Sequence, residues 1–534
     1  MKFKHILSII ILLNFTAYTL AQNTKEVLCK VLDAETKYPV SYVTVKFEDI
    51  QNGVIADEEG DFRLPLNDTT VDKNIIISSI GFETLIVSVS SLNRNTINTI
   101  YLKPKVESLG VVLITGSTNS KNQTSSAKDI IEEAIKKIPV NYPRTPHSYI
   151  GYYRDYQLVK NKYYNLNESI LETFDAGFQT SKYKYSDNLT ALYSYTTNKD
   201  FYLDSLLLKS IYNDSKIVNK DESAKFVTAL QNELEILNVH NPIRNYNKNS
   251  FSFINTFRSD FVENHLFKLE DLSYNNTIPL YRISFVSQGA DNSKFRAIGE
   301  IYIAKTNYAI YKIEYKMIEN DKFKSYQINK GSLGSGKRLQ TVYEVTVEYK
   351  EINDKMYLNY MTFNNKFIVK EPNPFDVVDF EFDPKDKAFY ITFNKPVDKS
   401  SIERKSRFRL LYKDKKLIIK QIELVENTIV KVQVVDWAAG TKAKLNKVKS
   451  EDFSYKLKRI KDVSGVTIYK ESKLLGYQFR EFFTQEVFQN KTPSEDLIYM
   501  LKLNPLSDAK VNEAKFDINT YWINSPLKQT KGDN

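Results

Sequence analysis

Apolar and polar positions alternate with a two-residue period through most of the chain, in short runs divided by turn residues. Val40–Phe47 puts Val43, Val45 and Phe47 on one side and Tyr42, Thr44 and Lys46 on the other. That period belongs to a half-buried strand. Val27–Leu32, Phe62–Leu64, Ile75–Ser79, Leu85–Val89 and Thr99–Leu102 are further runs, with Asp57-Glu58-Glu59-Gly60 as a turn. Short strands with turns between them predict a β-sandwich over residues 22–103. Residues 104–125, rich in Ser, Asn and Thr after Ser117, read as a linker. The period then changes. Ser126 with Asp129 forms a capping signature, Ile131, Ala134, Ile135 and Ile138 make a stripe, and Pro139 is expected to stop the helix.

Residues 126–372 predict an α+β domain built on an antiparallel sheet. His147–Tyr156, Tyr163–Ile170, Leu280–Val286, Gln340–Tyr349 and Lys355–Val369 read as strands, and Ile298–Ala304 with Tyr308–Lys316 reads as a hairpin. Leu206–Ile217 and Ala224–Val239 have helical spacing. Residues 373–468 return to short strands. Residues 469–534 form a tail, with an aromatic helix expected over Leu475–Val487 around Phe479, Phe482 and Phe483, and Tyr521-Trp522-Ile523 as a last contact. Such aromatics need burial, so the tail is expected to dock on the body.

The first residues carry a different grammar. Lys2 and Lys4 precede the apolar run Ile6–Leu13, and Thr19-Leu20-Ala21 supplies small residues before Gln22. This predicts a secretory signal peptide over residues 1–21 and an exported, periplasmic or outer-membrane-associated protein. The apolar run is too short to span a bilayer.

Composition narrows the chemistry. Hydrophobic residues are 42% and charged residues 26% of the 534, which excludes wholesale disorder. The 36 Tyr and 31 Phe suit pleated surfaces. One cysteine, Cys29, excludes an internal disulfide and a Cys-rich zinc site. The net charge of +10 comes from lysines interleaved with acids, which reads as a solvated surface rather than a nucleic-acid-binding run.

Several runs resemble known families. Lys30-Val31-Leu32-Asp33, Tyr38-Pro39-Val40, Val43-Thr44-Val45, Ala56-Asp57-Glu58-Glu59-Gly60-Asp61-Phe62 and Ile77-Ser78-Ser79-Ile80-Gly81-Phe82-Glu83 together resemble the carboxypeptidase regulatory-like domain. The resemblance implies a transthyretin-like sandwich that is an accessory module without catalytic residues. Ser108–Gly116 looks like the segment that follows this sandwich in TonB-dependent receptors. Gly299–Ala304 with Ile310–Tyr315 is similar to hairpins of lipoprotein-carrier half-barrels. Tyr152-Tyr153-Arg154 and Asn167-Glu168-Ser169 resemble the start of a domain that follows this sandwich in other envelope proteins. Asp386–Asp398, Asn427–Val432 and Tyr455–Gly465 resemble a bacterial Ig-like domain. The expected fold class is therefore mainly β with an α+β middle domain: an N-terminal transthyretin-like β-sandwich, a central antiparallel sheet with helices, and a C-terminal Ig-like β-sandwich.

Catalytic sets are missing. Gly331–Lys337 fits G-x-x-x-x-G-K, but Arg338 stands where a Mg²⁺-holding hydroxyl is needed, and a strand follows it. His147, His240 and His265 form no metal spacing. Glu168, Glu172 and Asp175 are acids close in sequence, and Asp57, Glu58, Glu59 and Asp61 crowd a turn that offers oxygen ligands to Ca²⁺. The turn reads first as a solvated hairpin. No catalytic, cofactor-binding or metal residue is assigned, and no cofactor is expected.

The expectation is a non-enzymatic exported envelope protein. Its sandwiches act as spacers and its central sheet offers a Tyr/Phe-lined surface to a ligand, an envelope protein or a glycan, with peripheral association with the outer membrane and no nucleic acid. An outer-membrane barrel or TonB-dependent transport component is the first alternative. Against it, Lys312, Glu314 and Lys316 occupy one strand face. A hydrolase acting on an envelope polymer is the second.

Overall fold

A computed structural model describes residues 26–48, 53–66, 70–107, 126–159, 162–181, 188–203, 232–247, 257, 260–288, 295–319, 341–370, 374–435, 450–463, 465–470, 473–512, 517 and 520–527. The readings made for residues 1–21, Ser108–Gly116, Leu206–Ile217 and Gly331–Arg338 lie outside the described residues. The chain divides into two compact units, residues 1–367 with 477–534, and residues 368–476.

The first unit opens with seven strands: β1 (Glu26–Asp33), β2 (Thr44–Phe47), β3 (Gly53–Ile55), β4 (Asp61–Pro65), β5 (Asn74–Ser78), β6 (Leu85–Ser88) and β7 (Asn98–Leu102). They make two sheets, β4-β1-β7 and β3-β2-β5-β6. Alternate residues of both meet in one core of Val27, Cys29, Val31, Val43, Val45, Phe47, Phe62, Leu64, Ile75 and Ile77. The two-residue period therefore does what a sandwich requires, one face in and one face out. Gly60 turns the chain at φ 75°, where an added Cβ would stand 2.5 Å from the Val31 carbonyl oxygen.

Helix α1 (Ala127–Asn141) follows, with Ser126 and Asp129 forming the anticipated capping box. The helix runs through Pro139 to Asn141 rather than ending before it. Proline here costs one bond in the last turn, and the Tyr142 amide closes that turn by donating to the Ile138 carbonyl.

The body of the unit is a sheet of eleven strands: β8 (His147–Val159), β9 (Lys162–Asp175), β10 (Thr190–Thr197), β11 (His265–Leu269), β12 (Ser273–Asn275), β13 (Ile278–Ser287), β14 (Phe295–Ala304), β15 (Ile310–Glu319), β16 (Thr341–Ile352) and β17 (Lys355–Lys370), with a late strand between β8 and β17. Among the described residues the order leaves β10 and β11 at opposite ends of the sheet, not paired with each other. Two short helices, α2 (Glu233–Val239) and α3 (Asp260–Glu263), join α1 on one face. Ile131, Ala134, Ile135 and Ile138 of α1 share a core with Ile283, Ile301, Ile313, Val345 and Val347. Each buried isoleucine or valine of this core contributes ~1.5–3 kcal/mol.

The second unit holds β18 (Val377–Asp383), β19 (Ala388–Phe393), β20 (Phe408–Tyr412), β21 (Lys415–Lys416), β22 (Ile419–Glu426), β23 (Ile429–Val434) and β24 (Phe453–Leu457). Its sheets, β18-β19-β23-β22 and β21-β20-β24, enclose one core that includes Phe389, Ile391, Leu410, Val430, Val432 and Phe453.

The helix expected over Leu475–Val487 is instead β25 (Lys473–Gln489), the late strand of the large sheet. Phe479, Phe482 and Phe483 mimic helical i, i+3, i+4 spacing. They do so because a central strand is buried on both faces and shows no clean alternation: Phe482 joins the helix-side core and Phe483 the opposite one.

One ion pair ties these layers together. Arg154 on β8 donates from Nε to Glu481 Oε2 on β25 at 2.5 Å, with both side chains fully buried. The Tyr42 hydroxyl of the sandwich donates to Glu481 Oε1 at 3.3 Å. Arg154 also donates to the Asn524 carbonyl of the tail, and Asn524 in turn donates to the Ile55 carbonyl at 2.9 Å. Arg154→Met leaves the Glu481 charge buried without its cation and is expected to cost ~3–5 kcal/mol. Urea melts should show most of that loss recovered in R154M/E481L. An R154M variant as stable as the parent refutes the role given to the pair.

Candidate functional site

The large sheet has two unlike faces. Along β15, Tyr311, Ile313, Tyr315 and Met317 are buried under the helices, while Lys312, Glu314 and Lys316 point the other way. Along β16, Tyr343, Val345, Val347 and Tyr349 alternate with Glu344, Thr346, Glu348 and Lys350. Strands β13 and β14 add Arg282, Glu300 and Tyr302 to the polar side through their register, Arg282 opposite Tyr302 and Glu300 opposite Glu314. The aromatic surface anticipated for ligand binding is thus largely consumed in the core. The face left over is ionic.

Its charges form a lattice. Lys312 Nζ lies 2.8 Å from Glu314, Lys316 Nζ 2.6 Å from Glu344, and Arg282 Nε 3.9 Å from Glu300. Lys316 and Glu344 are direct cross-strand partners, as are Lys312 and Glu348. Glu300 and Glu314 also stand directly opposite, an arrangement that repels. Glu300 consequently sits above the usual carboxylate range, through burial first and then the Glu314 charge. For Glu314 burial acts upward most strongly, but the charge and hydrogen bond of Lys312, joined by the charges of Lys316 and Arg282, together hold the carboxyl low. The Tyr302 hydroxyl donates to Glu300 at 2.7 Å.

The sandwich stands against this face. Tyr42 stacks on Tyr360 of β17 with ring centroids 5.4 Å apart. Asn359 Nδ2 donates to Glu348 at 2.8 Å and lies 3.3 Å from the Thr44 hydroxyl. Lys350 is pushed down to about 8, by burial first and then by the like charge of Lys46 on β2.

The acids singled out in the sequence are committed elsewhere. Asp57 Oδ1 accepts the amides of Glu59 and Asp61, each at 2.9 Å, and Asp61 pairs with Lys30 at 3.0 Å. Asp57, Glu58 and Glu59 border a crevice of ≈ 10 Å³ against Tyr156, Tyr163 and Phe479, room for about one water. Among the described residues no three His, Cys, Asp or Glu side chains are placed to hold a metal ion. Glu168 and Glu172 share one face of β9. Glu168 accepts from Tyr152 at 2.5 Å, Ser525 at 2.6 Å and Asn198 at 2.9 Å. Glu172 accepts from Ser148 and Tyr193 and pairs with Lys491 at 2.7 Å. Asp175 faces the other way into a bidentate bond with Arg244, 2.8 Å on both arms. The three do not converge.

His240 stacks on Phe363 at 3.9 Å, and burial holds it down near 3. His265 Nδ1 lies 3.0 Å from the Phe261 carbonyl. Cys29 is fully buried and its thiol is pushed up to about 12.

Residues 29–114 match the family model of the CarboxypepD_reg-like domain. The sandwich is therefore a carboxypeptidase regulatory-like domain. No curated protein matches the chain. Three solved structures are similar to part of the chain. A domain assigned to outer-membrane lipoprotein sorting from Vibrio parahaemolyticus has 11% identity and a TM-score of 0.19, covering 45% of this chain and 86% of that one. A LolA superfamily protein from Nitrosomonas europaea has 7% identity and a TM-score of 0.18, with the same coverages. A DUF1329 family protein from Desulfovibrio piger has 10% identity and a TM-score of 0.19, covering 45% and 87%. Among the described residues no helix is long and apolar enough to cross a membrane.

Two outcomes test the electrostatics. Asp57 is raised from 3.8 to about 7, chiefly by burial, so the unfolded chain releases this proton first. Stability should therefore fall as pH climbs from about 4 to about 7 and level off above. Asp57→Asn keeps an acceptor for the turn amides and removes the charge, so it should be ~2–4 kcal/mol more stable than the parent at pH 8 and unchanged at pH 4. A gain of the same size at both pH values refutes the assignment. Lys312→Met leaves Glu314 and Glu348 without their cation and should cost ~1–2 kcal/mol in urea, partly recovered in K312M/E314Q. A single variant without cost removes Lys312 from the lattice's centre.

Proposed function

We propose that the chain is an exported, non-enzymatic envelope protein that binds a polar partner, an envelope protein or glycan, on the ionic face of its large sheet. The observation that carries this reading is the lattice of Arg282, Glu300, Lys312, Glu314, Lys316 and Glu344, partly exposed and flanked by the regulatory-like sandwich. Charges on both signs, fixed by a stiff sheet, favour an extended partner that offers donors and acceptors. An accessory domain in place of a peptidase, and acids already saturated by structural bonds, fit binding rather than turnover. The second unit serves in this reading as an Ig-like spacer.

Three measurements test it. The mature chain should begin at Gln22, and carbonate washing should release it from membranes. Its retention on immobilised envelope extract should weaken as salt rises, since partly exposed charges are screened within ~10 Å at 0.1 M, and should drop in K316M/E344Q, which keeps the net charge. Retention indifferent to both salt and that variant, or a carbonate-resistant membrane form, overturns the reading.

A further inference from the structure

The lattice neutralises its own lysines, with one exception. Lys312 and Lys316 each meet a carboxylate within 2.8 Å. Lys350, the next outward residue of β16 after Glu348, meets none: its ammonium has no hydrogen-bond or ion-pair partner among the described residues, and neither has that of Lys46. The contacts of the sandwich with the sheet bring the two together: Tyr42 lies on Tyr360 and Thr44 on Asn359, so β2 advances toward Lys350. Thr44 and Lys46 are successive outward residues of β2, and Glu348 and Lys350 are successive outward residues of β16. Asn359 bridges Thr44 to Glu348, so the sandwich and the sheet are locked one step before the two lysines. Lys350 is half-buried and Lys46 exposed, so the seam is open to solvent on the sandwich side. Glu348, the acid that acts on Lys350 among the described residues, is already engaged by Asn359.

Such a pair is costly as it stands. Burial and Lys46 both act against the charged form of Lys350, which leaves about a tenth of it neutral at pH 7. A bound anion would reverse both effects. We propose that Lys46 and Lys350 form an oxyanion site at the seam between the sandwich and the sheet, and that it takes a phosphate-bearing group. Two ammonium groups match the roughly −1.5 to −2 charge of a phosphomonoester at neutral pH, and lysine binds phosphate as a point charge without needing a planar fork. The site deepens the envelope-binding reading, since it names the chemistry one end of the partner would carry. Its failure would leave the salt-sensitive retention of the lattice untouched.

The test follows the reactivity of Lys350 in the full mature chain by amine acylation and peptide mass mapping across pH. Without phosphate, Lys350 should label with a midpoint near 8. Inorganic phosphate should raise that midpoint and slow labelling at neutral pH, by about tenfold for each pH unit of rise, beyond what chloride does at equal ionic strength. Lys46→Met should raise the midpoint in the absence of phosphate and abolish the phosphate effect, while K46R keeps it. Vesicles of phosphatidic acid, whose headgroup is a phosphomonoester, compared with phosphatidylcholine alone, separate the sources: protection at a lower phosphate concentration than the free ion identifies a lipid headgroup, and protection by the free ion alone identifies a soluble phosphate. Phosphate acting no more strongly than chloride, or acting equally on K46M, overturns the proposal.

Discussion

The buried contact between Arg154 and Glu481 is the constraint on which the first unit rests. Neither residue is near the other in sequence, and both come from strands at the centre of the large sheet. A fully buried ion pair gains little over apolar packing, because desolvation offsets most of the attraction. Its value lies in what else it holds. Glu481 takes the Tyr42 hydroxyl and Arg154 donates to the Asn524 carbonyl, so sandwich, sheet and tail all add hydrogen bonds to the one pair. Phe483 lies against the guanidinium at 5.2 Å and Trp522 packs edge-on to Phe47 at 4.9 Å, which closes the same seam with apolar surface. Register is specified here by chemistry that tolerates no slip.

With that register fixed, the rest of the sheet's polar face is determined. Arg282, Glu300, Lys312, Glu314, Lys316, Glu344 and Glu348 fall on the side away from the helices because the strands alternate there and the helix side is apolar, whereas Glu351 near the end of β16 turns to the Tyr311 hydroxyl. The Glu300–Glu314 opposition is the revealing feature. Selection for stability alone has an easy remedy, since either acid could be an amide. The structure keeps both and surrounds them with Arg282, Lys312 and Lys316. Each group's charge then depends on its neighbours, and a partner that neutralises one of them changes the balance of the others.

The sandwich was legible in the sequence because its strands are short, its turns carry Asp and Gly, and its apolar residues alternate. The hairpin at Lys305–Asn307 and the helix capped by Ser126 were legible for the same local reasons. Strand β25 was not. A strand buried on both faces carries Phe, Glu and Arg without a two-residue rhythm, and only its long-range partners, Arg154 and Tyr42, explain them. The ionic face was half legible: the alternation of Lys312, Glu314 and Lys316 was visible, but their meaning depended on knowing which side the helices cover. The acids Glu168, Glu172 and Asp175 misled for the complementary reason. Closeness in sequence says little on a strand, where Glu168 and Glu172 are ~13 Å apart and Asp175 faces away.

These observations change what the regulatory-like domain contributes. As an accessory module it could hang from the chain as a spacer, with its outward faces solvated. In this chain the outward residues of β2 are employed: Thr44 meets Asn359, Lys46 acts on Lys350, and Tyr42, just ahead of the strand, stacks on Tyr360 and reaches Glu481. The same two-residue period that buries Val43, Val45 and Phe47 in the sandwich core delivers Tyr42, Thr44 and Lys46 to the large sheet. One short strand therefore stabilises its own domain with one edge of its pattern and completes the neighbouring ionic surface with the other. The sandwich is then one wall of the ionic face, and removing it would leave Tyr360, Asn359 and Glu481 without the groups that Tyr42 and Thr44 bring to them.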